Sequence, residues 1–424
     1  MKRILSIVLA GLMLASPMAF GAVSDEELAQ LRAELSALAQ KLDALVAENA
    51  ELRQRSRQTA EVAEDARTQA VAAADSVAKA AWTERIGFKG DFRYRYENVE
   101  VDGLDDRNRN RIRARFNMTA DLPQNVEVGF GLATGGDDPV SANQTIGGGG
   151  SSKDIRLNLA YADWEAIDGL HLVVGKFKNR SVRVARNAMM WDGDWTPEGI
   201  AVTYERGWFF GNAMGSWLEG DSNNPNSDFS WGGQVGVRFQ AGGVNLKGGV
   251  GYYAFKTQGK QTFFGDPNDP SDYFGNTAIG PNCGAGGGCV YAFDYLMTQV
   301  FGEAGFTLAG IPTVVFADFA NNSDAARKDT AWSVGTRVGN TKAAGAWQAS
   351  YWYADKEADA VFGLLTDSDF AGGGTDNKGH FFKVAYGVNE TWTLDAQYFV
   401  NEIDVSTNAK DYNRLMLNTV WKYE

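Results

Sequence analysis

Between Asp105 and Phe116 the sequence reads DDRNRNRIRARF, with an arginine at every second position: Arg107, Arg109, Arg111, Arg113 and Arg115. A helix would scatter residues two apart around its cylinder. A strand sends all five to one face, and Ile112, Ala114, Phe116 and Met118 to the other. One face of this segment is therefore intensely hydrophilic and the other increasingly apolar. A soluble sandwich also alternates, but it buries its apolar face in protein and rarely sets such rows of charge opposite continuous aromatic belts.

The same period of two governs everything from residue 84 onward. In ERIGFKGDFRYRYE, Ile86, Phe88, Phe92, Tyr94 and Tyr96 share one face, while Arg85, Lys89, Asp91, Arg93 and Arg95 share the other. Further alternating segments bring the predicted strands to about sixteen. Short connections (DLPQN, AIDG, AGGV, AGIP and GVNET) trade places with long ones rich in Gly, Asp and Asn. Two ends of one cylinder are being treated differently, as in transmembrane barrels with tight periplasmic turns and long outer loops. The expected fold is mainly β and transmembrane, a closed antiparallel barrel over residues 84–424. No run after the first twenty or so residues is apolar enough for a spanning helix, so membrane residence must use strands.

Ahead of the barrel the period differs. Leu28, Leu31, Leu35, Leu38, Leu42, Leu45, Asn49 and Leu52 alternate steps of three and four. The register continues through Ser56 and Thr59 into Ala63, Ala66, Ala70, Ala73, Val77 and Ala80. A seam sustained for so many heptads predicts a long α-helical coiled coil over residues 22–83 that self-associates, with Asn49 fixing register and chain number at a core position. Residues 1–21, MKRILSIVLAGLMLASPMAFG, have the basic start, apolar centre and small-residue end of an export signal. In an exported chain, Cys283 and Cys289 in CGAGGGC predict a small disulfide ring.

Composition narrows the function. A net charge of −13 disfavours nucleic acid as a partner. With only His171 and His380, and two cysteines, a metal site is not expected, and no cofactor is implied. Neither histidine lies in a nucleophile motif and no G-x-S-x-G occurs, which argues against an outer-membrane hydrolase and against an enzyme of any kind.

The junction AAWTERIGFKGDFRYRYE, the basic strand RNRNRIRARF, the segment LHLVVGKFKNRS and the final YNRLMLNTVWKYE carry a resemblance to the porin family of Gram-negative outer membranes whose members have an N-terminal periplasmic coiled coil. The resemblance covers essentially the whole chain. It implies a homotrimer of barrels in outer-membrane lipid, each a passive diffusion channel for small ions and hydrophilic solutes. Structural tethering of the outer membrane to peptidoglycan through the coil is the alternative role.

In such a channel the functional groups are wall charges and a constriction. Arg93, Arg95, Arg107, Arg109, Arg111, Arg113 and Arg115 are expected to line the pore as a positive wall that favours anions. The loop after LHLVVGKF is the candidate to fold inward. On it, Lys176, Lys178, Arg180, Arg183 and Arg186 extend the positive lining, while Asp192, Asp194 and Glu198 oppose it.

Overall fold

The computed structural model describes residues 25–80, 83–220 and 228–424; the expected export signal lies outside them. The chain divides into two units at Trp82/Thr83. The first contains one helix, α1, Asp25–Ala80, whose first turn carries Asp25, Glu26 and Glu27 beside the positive end of its dipole. Its 56 residues span about 84 Å. The leucine seam is exposed, from 44% at Leu28 to 67% at Leu38, so a single copy leaves the stripe without a partner surface.

The second unit is a closed antiparallel barrel of sixteen strands among the described residues. They are β1 Ile86–Val101, β2 Arg107–Leu122, β3 Val126–Thr134, β4 Ile155–Ile167, β5 Leu170–Lys176, β6 Glu198–Arg206, β7 Phe209–Glu219 and β8 Asp228–Ala241. There follow β9 Val244–Phe255, β10 Tyr295–Leu308, β11 Ile311–Asn322, β12 Thr330–Gly339, β13 Trp347–Lys356, β14 Asn377–Gly387, β15 Trp392–Ile403 and β16 Lys410–Tyr423. Each strand pairs with its sequence neighbours, and β1 closes the ring on β16 from Gly90↔Tyr423 to Val101↔Tyr412. Closure leaves no free edge, the condition for a sheet in lipid.

The seven connections at one end are tight, and both β1 and β16 have their chain-terminal ends there. Asp168–Gly169 shows why: Gly169 takes φ +77°, and a Cβ there would sit 2.2 Å from the Glu205 carbonyl oxygen. A two-residue hairpin demands such backbone freedom. The outer face carries large apolar side chains around the whole circumference, among them Phe88, Phe116, Phe130, Val174, Val235, Val300, Val334, Val384 and Leu417, each at least 40% exposed. A continuous exposed apolar belt of this kind suits lipid rather than water.

The interior is not uniformly wet. Loops 177–197, 256–294 and 357–376 fold into the barrel and share an apolar core with the inner face of β9 to β12. Phe177, Met190, Trp191 and Trp195 come from the first loop, Tyr273 and Tyr291 from the second, and Val361, Phe362, Leu364 and Leu365 from the third. Asn276 fastens two loops together: its Nδ2 donates to the carbonyls of Ala358 and Val361 at 2.7 and 2.9 Å, and its Oδ1 accepts from the Gly363 amide at 2.8 Å. Cys283 and Cys289 are disulfide-bonded within the second loop.

Phe362 is the hub, with its ring 5.1 Å from Phe255 and 5.6 Å from both Tyr291 and Tyr295. Phe362→Ala is expected to cost the loop assembly about 3–5 kcal/mol. Limited proteolysis should then cut within 357–376 faster than in wild type, while the heat-sensitive electrophoretic migration of the barrel persists. Unchanged resistance in that loop would contradict the assignment.

Candidate functional site

The charged side of the interior is built by β1, β2 and β16. Pairing of β1 with β2 sets Arg93 opposite Arg113, Arg95 opposite Arg111, Glu97 opposite Arg109 and Asp91 opposite Arg115. Like charges facing each other in register are unfavourable without nearby compensation. Asp91 and Glu97 on β1 supply part of it. Asp91 takes Arg113 at 2.9 Å and Arg115 at 2.5 Å. Glu97, fully buried, pairs with Arg109, with Arg414 of β16 at 2.8 Å, and more distantly with Arg111 at 3.9 Å.

The rest of the compensation comes from loops. The 177–197 loop leaves β5, runs across the interior and packs Val184 against Phe210, Phe301 and Phe316 on β7, β10 and β11. Asn187 bonds to Ser333 on β12. The loop then turns back so that Asp194 reaches the arginine wall, 3.0 Å from Arg115 and 3.5 Å from Arg113. From the 357–376 loop, Asp369 meets Arg95 and Arg414, both at 3.0 Å. Two carboxylates on different loops thus clamp onto one wall.

Around these clamps lie the guanidinium groups of Arg93, Arg95, Arg109, Arg111, Arg113, Arg115 and Arg414, and the carboxylates Asp91, Glu97, Asp194 and Asp369. Seven cations against four anions leave a local surplus of three positive charges. Next to Arg115, toward the end bearing the short turns, a cavity of about 190 Å³ is lined by Lys89, Lys178 and Lys422 among others. It extends the positive lining.

The remaining predicted residues divide. Arg107 is exposed, opposite Val99, and stands outside the clamps. Lys176 pairs with Glu198 at 2.7 Å, and Arg180 with Asp163 at 2.7 Å, both on the neighbouring wall. Arg183 donates to the Trp191 carbonyl at 3.1 Å and so braces its own loop. Arg186 is exposed. Asp192 does not oppose the wall: it is buried, accepting the amides of Asp194 at 2.7 Å and Ser368 at 2.9 Å, and it joins the two inserted loops. Three participants escaped the sequence reading. Glu97 and Arg414 were visible by strand parity, but nothing in the sequence marks Asp369.

The loop acids titrate in opposite senses. For Asp194, burial works to raise the pKa, but Arg113, Arg115 and Arg93 together hold it below the usual carboxylate range. Asp369 is likewise held low by Arg95, Arg414 and Arg93 against the effect of burial. Burial, reinforced by Asp367 and Asp194, pushes Asp192 well above that range.

Carboxylates with depressed folded-state values contribute stability that is present above the unfolded value of about 4 and is lost only as pH falls through the depressed value. Both clamps should therefore persist as pH is lowered past about 4. Because Asp192, raised by burial beside Trp191, titrates above that point on its own, the measurement is made on Asp192→Asn. With Asp192 replaced by Asn, tryptophan emission from the detergent-solubilised protein, to which Trp191 and Trp195 on the clamped loop contribute, should stay constant down to that point. A transition centred between about pH 4 and 6 in that variant would contradict the clamp assignment.

A family profile described as "Putative porin" matches residues 99–272 and 291–420. No curated protein matches. Among solved structures, OprB of Pseudomonas putida in its high-pH structure is similar, with TM-score 0.54 and 13% identity over 80% of this chain and 95% of that one. Salmonella typhi OmpF in complex with daunomycin gives TM-score 0.47 and 9% identity, covering 80% and 97%. A multiple mutant of the Rh. blastica porin gives TM-score 0.46 and 13% identity, covering 80% and 100%. At 13% identity, the first of these speaks to the fold.

Proposed function

The chain belongs to the porin family matched over those residues and is an outer-membrane barrel of that family; from this premise we propose that it is a passive diffusion channel for small ions and hydrophilic solutes, narrowed where the 177–197 and 357–376 loops meet the arginine wall. The observation that carries the reading is the reach of Asp194 and Asp369 across the interior to Arg113, Arg115, Arg95 and Arg414. Carboxylates on inserted loops facing guanidiniums on a wall set up a transverse field that sorts solutes by charge and dipole. Because cations outnumber anions along this wall, the narrow region favours small anions. The acidic outer loops hold cations at the mouth without controlling passage.

The apolar core supports a route confined to one side. Water and ions do not cross a packed cluster of Trp191, Phe255, Tyr291, Tyr295 and Phe362, and the inner face of β16 is closed by Met416 against Phe370 and Phe399, so solutes follow the arginine face of β2, which stays partly open. Conduction is by diffusion and needs no chemistry at any residue.

The exposed seam of α1 supports self-association into a coiled coil, and a homotrimer matches one helix per barrel. Since the coil precedes β1, which begins at the end bearing the short turns, the coil is assigned on this reading to the periplasm, with peptidoglycan as its candidate partner.

Purified full-length protein in planar bilayers should give discrete conductance steps, and a tenfold potassium chloride gradient should give a reversal potential of the sign for chloride preference. Asp194→Ala removes one clamp and should raise the unitary conductance by roughly 1.5-fold or more. A clear potassium preference, or silence from correctly folded protein, would refute the reading.

A further inference from the structure

Each cation of the wall has a carboxylate within ion-pair distance except one. Arg113 and Arg115 share Asp91 and Asp194, Arg95 and Arg414 share Asp369, and Arg109 has Glu97. Among the described residues Arg93 has no ion pair: one Nη donates to the Asn143 side chain, and its buried Nε has no partner. Arg111 is nearly as poorly served, with Glu97 at 3.9 Å and a buried Nε that also lacks a partner. Both side chains remain partly open to the interior, Arg111 at 13%.

The register makes these two residues neighbours. Because Arg93 faces Arg113 and Arg95 faces Arg111, Arg93 and Arg111 are diagonal partners on one face of the β1–β2 pair. Diagonal positions lie roughly 7–8 Å apart at the backbone, close enough for two arginine side chains on one face to turn their forks to a common oxyanion. The pair sits between the two clamps, with Asp194 engaged to one side and Asp369 to the other. Two adjacent guanidinium groups with buried, unused donors and only distant counter-charges are costly unless an anion completes them.

We propose that Arg93 and Arg111 form a binding site for a small oxyanion, phosphate or carboxylate, so that passage of such anions is saturable. The inference rests on the channel reading and adds a resting place within the channel. Guanidinium forks favour planar or tetrahedral arrays of oxygen acceptors over chloride, which presents no pair of oxygens. Asn143 on the 135–154 loop orients Arg93, and its own Nδ2 is held by Ser141 at 3.1 Å.

The substitutions that test this are mild for the fold. Arg93→Gln orphans no carboxylate, and Arg111→Gln leaves Glu97 with Arg109 and Arg414. Inorganic phosphate added to potassium chloride should reduce wild-type conductance in a saturable manner. Each substitution should weaken this block roughly tenfold or more, while Arg107→Gln at the rim leaves it unchanged. Acetate run in parallel tells which oxyanion class is held better. Titration calorimetry of phosphate into the detergent-solubilised full chain reads the same site without conduction, so failure of the channel reading and failure of the site are separable. Saturable binding lost in both variants supports the site. Wild-type protein that neither binds nor is blocked by either anion, or variants that bind like wild type, would overturn it.

Discussion

Packing guanidinium groups side by side on one strand is tolerable only where water and carboxylates reach them, and the rest of this structure follows from meeting that demand inside a membrane. Alternation places Arg93 to Arg115 on one face and the aromatic belt on the other, and only a closed sheet can offer water to the first and lipid to the second. Closure brings β16 beside β1, which adds Arg414 to the cluster and makes the charge problem sharper. Loop carboxylates resolve most of it. Asp194 and Asp369 reach the wall because apolar parts of their loops, Val184 and Trp191 on one and Phe362 and Leu365 on the other, are anchored in the opposite half of the barrel. Packing energy on one side thus holds electrostatic partners in place on the other.

The interior is consequently divided. One half resembles the core of a soluble protein, with stacked rings and interlocked backbone bonds, and the other half keeps the charge. This division explains how an acidic chain of net −13 can present a positive route. Overall charge is spread over the helix and the loops, whereas selectivity is decided by the few groups at the narrow place.

Much of this was legible in the sequence and some was not. All sixteen strands lie where period-two alternation puts them, because lipid imposes that period on the outward residues except where a bulge shifts the register, as between Gly131 and Leu132. The inward loop after β5 could be anticipated from its two tryptophans, which suit no solvated excursion. The insertion of the 357–376 loop was missed because its opening, DKEADA, reads as acidic and exposed; yet Asp359 is only 2% exposed, held by Thr277. The run AVFGLL that follows, too short for a strand across the membrane, was the available signal. Asp369 was beyond sequence reasoning, since its partners lie more than 270 and 40 residues away in opposite directions, joined only by barrel closure.

The central claim is that β2 separates an aqueous interior from lipid at every alternate residue, and thiol labelling tests it most directly. The native cysteines are paired and silent. Single cysteines placed in turn at positions 109 to 116 of the vesicle-reconstituted protein should react with a charged, membrane-impermeant reagent at the odd positions and only with a lipid-soluble one at the even positions. Uniform reactivity along the segment, or protection from the charged reagent at every position, would contradict the account.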